Sequence, residues 1–136
     1  MSYFTGNKAN RYQQTQVATG VNGADPHQLI QLLLDGATER MALARGCLQR
    51  GDLAGKGERI SRTIAIIEAL RASLDHQAGG ELSERLDALY DYVIRCLLDA
   101  NMRADVAALD EAASLMEEIR SAWAAISPGS RQAAVG

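Results

Sequence analysis

Four segments of the chain repeat apolar residues with the spacing of an α-helix, and one of them is apolar on more than one side. In the stretch from residue 79 to residue 101, a narrow polar stripe recurs every four positions: Asp87, Asp91, Arg95 and Asp99. Nearly every other position there is apolar. An ordinary surface helix buries an apolar band about 100° wide. This segment is therefore predicted either to lie centrally in a bundle or to keep a second face for a partner.

The ends of these segments are marked by capping residues and glycines. Asp25 and Pro26 suit the N-cap and the first position of a helix, and Gly51 suits the stop after it. Asn101 tolerates the left-handed conformation that is common at helix C-termini. The predicted helices run, in chain order, from Asp25 to about Arg50, from Asp52 to Gly79-Gly80, from Gly79 to Asn101, and from Ala104 or Asp105 to Ser127.

Four amphipathic helices joined by short turns are typical of an antiparallel up-down four-helix bundle. The composition agrees, because hydrophobic residues make up 47% of the 136 residues while aromatic residues make up only 4% and prolines number two. We therefore predict an all-α fold. It consists of a flexible N-terminal arm at residues 1–24, the four-helix bundle at 25–127 and a disordered tail at 128–136.

The arm carries isolated aromatic and apolar residues without a helical period. One interpretation is a frayed terminus that takes no part in function. The other is a mobile segment in which Tyr12 docks on the bundle, with Val17 as a further contact. The sequence pattern leaves both open.

The third helix has more apolar residues than one core face needs. A row that follows a core heptad is predicted to be buried: Leu82, Leu86, Leu89, Val93 and Leu97. Two flanks remain beside that row, with Tyr90, Ile94 and Leu98 on one side and Tyr92 and Cys96 on the other. We hypothesise that at least one flank faces a partner. Tyr90 and Ile94 are the preferred pair, because they lie one turn apart and could form a single pocket.

Catalytic and metal-binding patterns are absent from the sequence. Neither histidine follows a glutamate at the spacing that a di-iron bundle requires, so His27 and His76 are expected to be solvated or capping side chains. Cys47 and Cys96 lack a metal-binding or redox spacing and are expected to be simple buried or half-buried thiols. No phosphate-binding glycine loop or nucleophile motif occurs. We expect a protein that is not an enzyme and needs no cofactor.

The charge and hydropathy exclude two classes of partner. The net charge is -3 and only two lysines occur, whereas a nucleic-acid binder needs clustered basic residues. No run of 18 apolar residues and no apolar signal segment occur, so we expect a cytoplasmic protein that does not insert into membranes.

The surplus apolar surface is the feature that remains, and it favours binding of an amphipathic partner in a groove. Two alternatives stay open at this point. The first and third helices could simply face each other across a filled core, or the surface could be the seam of a weak homodimer. A small helical enzyme is a further alternative, which would show a pocket with clustered titratable groups.

Several short motifs, in order, resemble the flagellin-specific export chaperone family, FliS. They are Asp25-Pro26-His27-Gln28-Leu29-Ile30, Gly79-Gly80-Glu81, Leu89-Tyr90-Asp91-Tyr92 and Ala100-Asn101, within a match that runs from about Asp25 to Ile126. The resemblance implies an antiparallel helical bundle in the cytoplasm that binds the disordered C-terminal region of flagellin. It also implies that this client is kept from polymerising prematurely and is delivered to the flagellar type III export gate.

The resemblance implies site residues as well. A tyrosine-bearing N-terminal arm would cover part of the client groove in the free protein, and Tyr12 is the candidate for that aromatic residue. Together with the analysis of the third helix, this gives a set of predicted client-binding residues: Tyr12, Tyr90, Ile94 and Leu98, with Val17 and Tyr92 as further arm or groove candidates. No cofactor or nucleotide is implied.

Overall fold

The computed structural model describes residues 25–125, and in this range the chain forms four α-helices. The helices are α1 (Pro26–Gln49), α2 (Leu53–Ala72), α3 (His76–Arg103) and α4 (Val106–Ala125). The predicted all-α four-helix bundle is confirmed. The predicted arm at residues 1–24 and the predicted tail at 128–136 lie outside the described residues.

Ion pairs between α1 and α4 show that these two helices are antiparallel. Arg45, near the end of α1, binds Asp110 near the start of α4, with 2.6 Å between Nε and Oδ1. Asp35, a few turns earlier in α1, binds Arg120 near the end of α4 at 3.2 Å. Residue numbers therefore rise along one helix as they fall along the other.

The same relation holds between α2 and α3. Arg71, at the end of α2, lies 2.9 Å from Asp87, whereas Lys56 at the start of α2 donates to the carbonyl oxygen of Asn101 at 2.8 Å. In the bundle α1 packs against α2 and α4, and α3 packs against the same two helices. The seam between α1 and α2 therefore lies diagonally opposite the seam between α3 and α4.

Each helix contributes one apolar stripe to a continuous core. The most deeply buried large side chains are Leu29, Leu34 and Met41 from α1, Ile60, Ile67 and Leu70 from α2, Tyr90, Val93 and Leu97 from α3, and Leu109 and Met116 from α4. Four alanines in the same core are fully covered: Ala37, Ala44, Ala100 and Ala112. Burial of this apolar surface is the main force that holds the bundle together.

An aspartate caps the start of every helix in the described range. The carboxylates accept backbone N–H groups of the first turn and belong to Asp25, Asp52, Asp75 and Asp105. Each cap of this kind contributes about 1 kcal/mol, because it satisfies a donor that has no partner within the helix. The predicted cap at Asp25 is confirmed, and Asp52 caps the helix that was predicted to begin there.

The boundary between the second and third helices differs from the prediction. The second helix ends at Ala72 and not at Gly79-Gly80, because Asp75 already begins the next helix by accepting from the amides of Gln77 and Ala78. Gly80 lies inside α3 as a kink, with φ 52° and ψ -125°. Asp75, three residues after the end of α2, thus marks the start of α3 better than the glycine pair does.

The end of the third helix also differs from the prediction. Asn101 is helical, and the left-handed residue that ends α3 is Ala104, with φ 51° and ψ 42°. The carbonyl of Asn101 accepts from buried Lys56, which supplies a positive charge at the helix C-terminus. The contact gives a hydrogen-bond partner to a carbonyl of the last turn of α3, which has none within the helix.

Candidate functional site

An apolar groove runs along the seam between α3 and α4. Its volume is about 280 Å³, and its lining is formed by Leu82, Arg85, Leu86, Leu89, Leu115, Glu118, Ile119, Ala122 and Trp123. Only two of these nine side chains are charged, and Arg85 is held by Glu81 through a 2.7 Å ion pair on the outer face of α3. We call these nine residues the leucine groove.

Two leucines make the groove open to solvent. Leu82 is 38% exposed and Leu89 is 37% exposed, whereas Leu86 between them is only 8% exposed. Leu86 joins the core and the other two form the wall above it. The prediction that Leu82 and Leu89 belong to the core is therefore wrong, because these two side chains lie at the α4 edge of the buried row and face the seam. Exposed apolar walls of this kind are typical of protein-binding grooves.

The floor of the groove contains Trp123, the single tryptophan of the chain. Its indole N–H donates to the carbonyl oxygen of His27 at 3.3 Å, which links the end of α4 to the first turn of α1. The indole is 4% exposed. This hydrogen bond fixes the ring, so that the groove has a rigid floor.

His27 itself is buried, and the expectation of a solvated or capping side chain is wrong for this residue. Its Nε2 atom has no hydrogen-bond partner within residues 25–125. His76, at the first position of α3, is exposed as expected. Cys47 and Cys96 are buried thiols, as predicted.

The seam becomes polar beyond Leu89. The Tyr92 hydroxyl donates to the carboxylate of Glu111 at 2.9 Å, and the guanidinium of Arg95 lies 5.7 Å from the centre of the tyrosine ring. The Glu111 acceptor raises the pKa of Tyr92 to about 12, because the hydrogen bond stabilises the protonated phenol. Burial raises the pKa of the neighbouring Cys96 thiol. At neutral pH both the tyrosine and the thiol at this end of the seam are therefore protonated.

The residues predicted to bind a client are placed differently by the structure. Tyr12 and Val17 lie outside the described residues. Tyr90 is 2% exposed and Ile94 is 9% exposed, so the expected open pocket between them is absent from the bundle at residues 25–125. Burial raises the pKa of the Tyr90 hydroxyl well above its usual range. A role of either side chain in client binding stays a prediction, and both contribute to the core of the free protein.

Leu98 and Tyr92 are accessible. Leu98 is 47% exposed but does not line the leucine groove, and Tyr92, 39% exposed, lines the polar continuation of the same seam. The α4 side of the groove was not predicted as a site, since Ile119 and Trp123 follow the core stripe of that helix. Leu115 lies outside the stripe, and this extra apolar residue was the signal that could have located the second wall.

A catalytic centre needs titratable or metal-binding groups that converge. Within residues 25–125 no group of three or more histidine, cysteine, aspartate or glutamate side chains is arranged to hold a metal ion. The shifted pKa values in the same range belong to ion pairs within or between helices, as at Glu117 and Asp110, and to two tyrosines and a thiol. The leucine groove is suited to binding an apolar surface because all but two of its lining side chains are uncharged.

Comparison with known families decides the class of protein. Residues 8–130 match the sequence model of the family described as "Flagellar protein FliS". The chain belongs to the FliS family. The resemblance found in the short motifs is confirmed, and the match covers all four helices and both walls of the leucine groove.

Individual relatives agree with the family match. The chain is 44% identical over 126 residues to the "Flagellar secretion chaperone FliS" of Salmonella typhimurium, covering 92% of this chain and 93% of that protein. It is 45% identical over 117 residues to the "Flagellar secretion chaperone FliSB" of Pseudomonas aeruginosa, covering 86% and 93%. The "Flagellar secretion chaperone FliS" of Bacillus subtilis is 32% identical over 117 residues, covering 86% and 84%.

The names of these FliS relatives describe chaperones, which are not enzymes, and a secretion chaperone has a client protein. No helix in the part of the chain that the structure describes is both long and apolar enough to cross a lipid bilayer. Among the described residues, the leucine groove is the surface of this FliS-family bundle that is best suited to an apolar client segment.

Proposed function

We propose that the protein is a cytoplasmic export chaperone that binds the disordered C-terminal region of flagellin. In this proposal the chaperone keeps flagellin from polymerising prematurely and delivers it to the flagellar type III export apparatus. The observation that carries the proposal is the leucine groove, together with membership of the FliS family. Membership supplies the flagellar context, and the groove supplies a place for an apolar client.

The geometry of the groove favours a helical client segment. Its two walls are parallel rows of leucine and isoleucine side chains on α3 and α4, and its floor is the fixed indole of Trp123. An amphipathic helix can place its apolar face between such walls. Leu82 and Leu89 would then lose their contact with water, which favours the complex.

A disordered client must fold as it binds, and this ordering costs about 2–5 kcal/mol or more of the interaction energy. The exposed leucines offer apolar area to offset that cost. Moderate affinity is the expected result, and it suits a chaperone that must later release its client. A covered apolar segment is also unavailable for contacts with other flagellin molecules, which is how binding would delay polymerisation.

The test is a titration of the full chain with a synthetic peptide that covers the C-terminal region of flagellin and lacks tryptophan. Trp123 is the single tryptophan of the chain, so its fluorescence reports on the floor of the leucine groove. We expect saturation near one peptide per chain, a change in Trp123 emission and a gain in far-ultraviolet helical signal over the sum of the separate spectra. Absence of all three changes at tens of micromolar peptide would refute the proposal.

The remaining parts of the proposal are tested separately. Light scattering should show that flagellin polymerises more slowly when the chaperone is present in equimolar amount. A pull-down with the cytoplasmic part of the export gate should retain more flagellin when the chaperone is added. Equal polymerisation rates would contradict the protective role, and equal retention would contradict the delivery role.

A further inference from the structure

A second depression lies on the seam between α1 and α2, diagonally opposite the leucine groove. Its lining contains one large apolar side chain, Leu43, which is 42% exposed. Around Leu43 the lining consists entirely of charged side chains: Glu39, Arg40, Glu58, Arg59 and Arg62. We call these six residues the arginine groove.

The arginines of this groove are weakly engaged within the chain. Arg62 pairs with Glu58 at 3.4 Å along α2, and both side chains are about two-thirds exposed. The Nη1 atom of Arg40 lies 3.4 Å from the carbonyl oxygen of Gly36, which is a long hydrogen bond. Arg59 forms no ion pair with any residue in the range 25–125. A partner could engage these guanidinium groups at little cost to the fold.

Other arginines of the bundle behave differently. Arg45, Arg71 and Arg120 each bind a carboxylate on a neighbouring helix and thereby connect two helices. No salt bridge joins α1 to α2 in the described part of the chain, although arginines and glutamates line both sides of that seam. The charges of the arginine groove are therefore not needed to hold the two helices together.

We propose that the arginine groove binds an acidic amphipathic helix of a second protein, distinct from the flagellin client. One apolar side chain of that helix would contact Leu43, and carboxylates one turn before and after it would pair with Arg40, Arg59 and Arg62. Arginine is suited to this role because its planar guanidinium group binds a carboxylate through two hydrogen bonds. The complementary charges would select the partner and set its orientation.

The composition of the groove favours a protein segment over a nucleic acid. Continuous phosphates would meet Glu39 and Glu58 as well as the arginines, and the net charge of the whole chain is -3. An acidic helix can place its carboxylates only where the arginines lie. The opposite position of the two seams allows the acidic partner and the client to be bound at the same time, so the proposal does not depend on client binding.

The first probe is a fluorescein-labelled synthetic helix of about 18 residues, with leucines in one stripe and glutamates on both flanks of it. A second peptide carries lysine in place of every glutamate. We expect the acidic peptide to bind the full chain saturably in fluorescence anisotropy, and to bind at least about tenfold more tightly than the lysine peptide. Equal binding of the two peptides, or no saturable binding of the acidic one, would overturn the proposal.

Substitutions locate the binding surface. Arg59→Glu and Leu43→Ser should each lower the affinity for the acidic peptide by about tenfold. Arg103→Glu makes the same charge change on an exposed arginine of α3 and should alter the affinity by less than about twofold. An equal loss with Arg103→Glu would show that only the net charge matters, and the proposed groove would be wrong.

Further measurements distinguish the arginine groove from the proposed flagellin site and from a nucleic-acid site. Arg59→Glu should leave the binding of the flagellin peptide unchanged, and Leu89→Asp should leave the binding of the acidic peptide unchanged. A saturating amount of flagellin peptide should not displace the acidic peptide, and displacement would overturn the assignment of two separate surfaces. A short DNA duplex is the last probe. If it binds more tightly than the acidic peptide and loses affinity with Arg59→Glu, the partner is a nucleic acid and the proposal is wrong.

Discussion

The two opposite seams of the bundle present leucines that are nearly equally exposed in different chemical surroundings. Leu89 on the α3–α4 seam is 37% exposed, and Leu43 on the α1–α2 seam is 42% exposed. Leu89 stands among leucines and Ile119, whereas Leu43 stands among arginines and glutamates. An exposed leucine alone therefore says little about its partner. The neighbouring side chains decide whether the surface suits an apolar client or a charged one.

The largest predicted effect separates the core of α3 from its groove wall. Leu97→Ala should lower the free energy of unfolding by about 2–5 kcal/mol, because Leu97 is fully buried and its loss leaves a cavity. Leu89→Ala should lower it by less than about 1 kcal/mol, because that side chain is already in contact with water. Denaturant unfolding of both variants is the measurement. Similar losses would mean that the α3–α4 seam is filled and not open.

The second prediction concerns the kink at Gly80, which lies next to the α3–α4 seam. Gly80 adopts φ 52° and ψ -125° two residues before Leu82, a conformation that is essentially restricted to glycine. Gly80→Ala should destabilise the fold by about 1–3 kcal/mol. It should also weaken binding of the flagellin peptide and leave binding of the acidic peptide unchanged. Chemical unfolding and the two binding assays test this. Unchanged stability would show that α3 can straighten without cost.

The reverse substitution, from alanine to glycine, can be tested at Ala104. It is a non-glycine residue at φ 51° and ψ 42°, the left-handed conformation that costs an alanine about 1 kcal/mol. Ala104→Gly should therefore stabilise the protein by about 0.5 kcal/mol, since part of the gain is lost to the greater freedom of the unfolded chain. A destabilised variant would contradict the left-handed assignment.

An effect of similar size is expected from the ion pair between α1 and α4. Charges close this seam, whereas the α3–α4 and α1–α2 seams carry open grooves. Arg45 holds the pKa of Asp110 below its usual range through a hydrogen bond, so the pair contributes stability above the ordinary carboxyl pKa. That contribution is lost as the pH falls through the lowered value. Asp110→Asn should cost at most about 1 kcal/mol at neutral pH, because both side chains are partly exposed. Unfolding curves should converge at low pH, and a difference that persists there would contradict the electrostatic origin.

The smallest effect is expected at the polar end of the α3–α4 seam. The pKa of Tyr92 is raised to about 12, so its bond to Glu111 contributes stability below the ordinary tyrosine pKa and loses it as the pH rises through the raised value. A spectrophotometric titration of tyrosinate absorbance should lose one late-titrating group in Tyr92→Phe. Loss of a group with an ordinary pKa would show that the hydrogen bond is not formed in solution.

The helical period predicted the fold, because burial of apolar stripes dominates the energetics of a bundle. The same period could not separate core from groove in α3. Leu89, Tyr90 and Val93 are all apolar and close in sequence, yet the first is exposed and the other two are buried. That difference depends on where α4 lies, which is a property of the assembled bundle and not of the local pattern.

The turn between α2 and α3 shows a second limit. Glycine pairs are strong breakers in a propensity argument, and Gly80 does interrupt the helical geometry. Asp75, however, already caps a first helical turn before the pair is reached. The arginine groove was not anticipated at all. Its arginines are interspersed with glutamates along two helices, so no basic run marks them in the sequence.

The central claim is that flagellin binds the α3–α4 seam, and paired substitutions of the two exposed leucines test it most directly. Leu89→Asp and Leu43→Asp introduce the same charge at similarly exposed positions on opposite seams, so both variants should remain folded. The account predicts that Leu89→Asp weakens the flagellin peptide by about tenfold or more in isothermal titration calorimetry, while Leu43→Asp leaves its affinity unchanged. Loss of binding with Leu43→Asp and retention with Leu89→Asp would contradict the account.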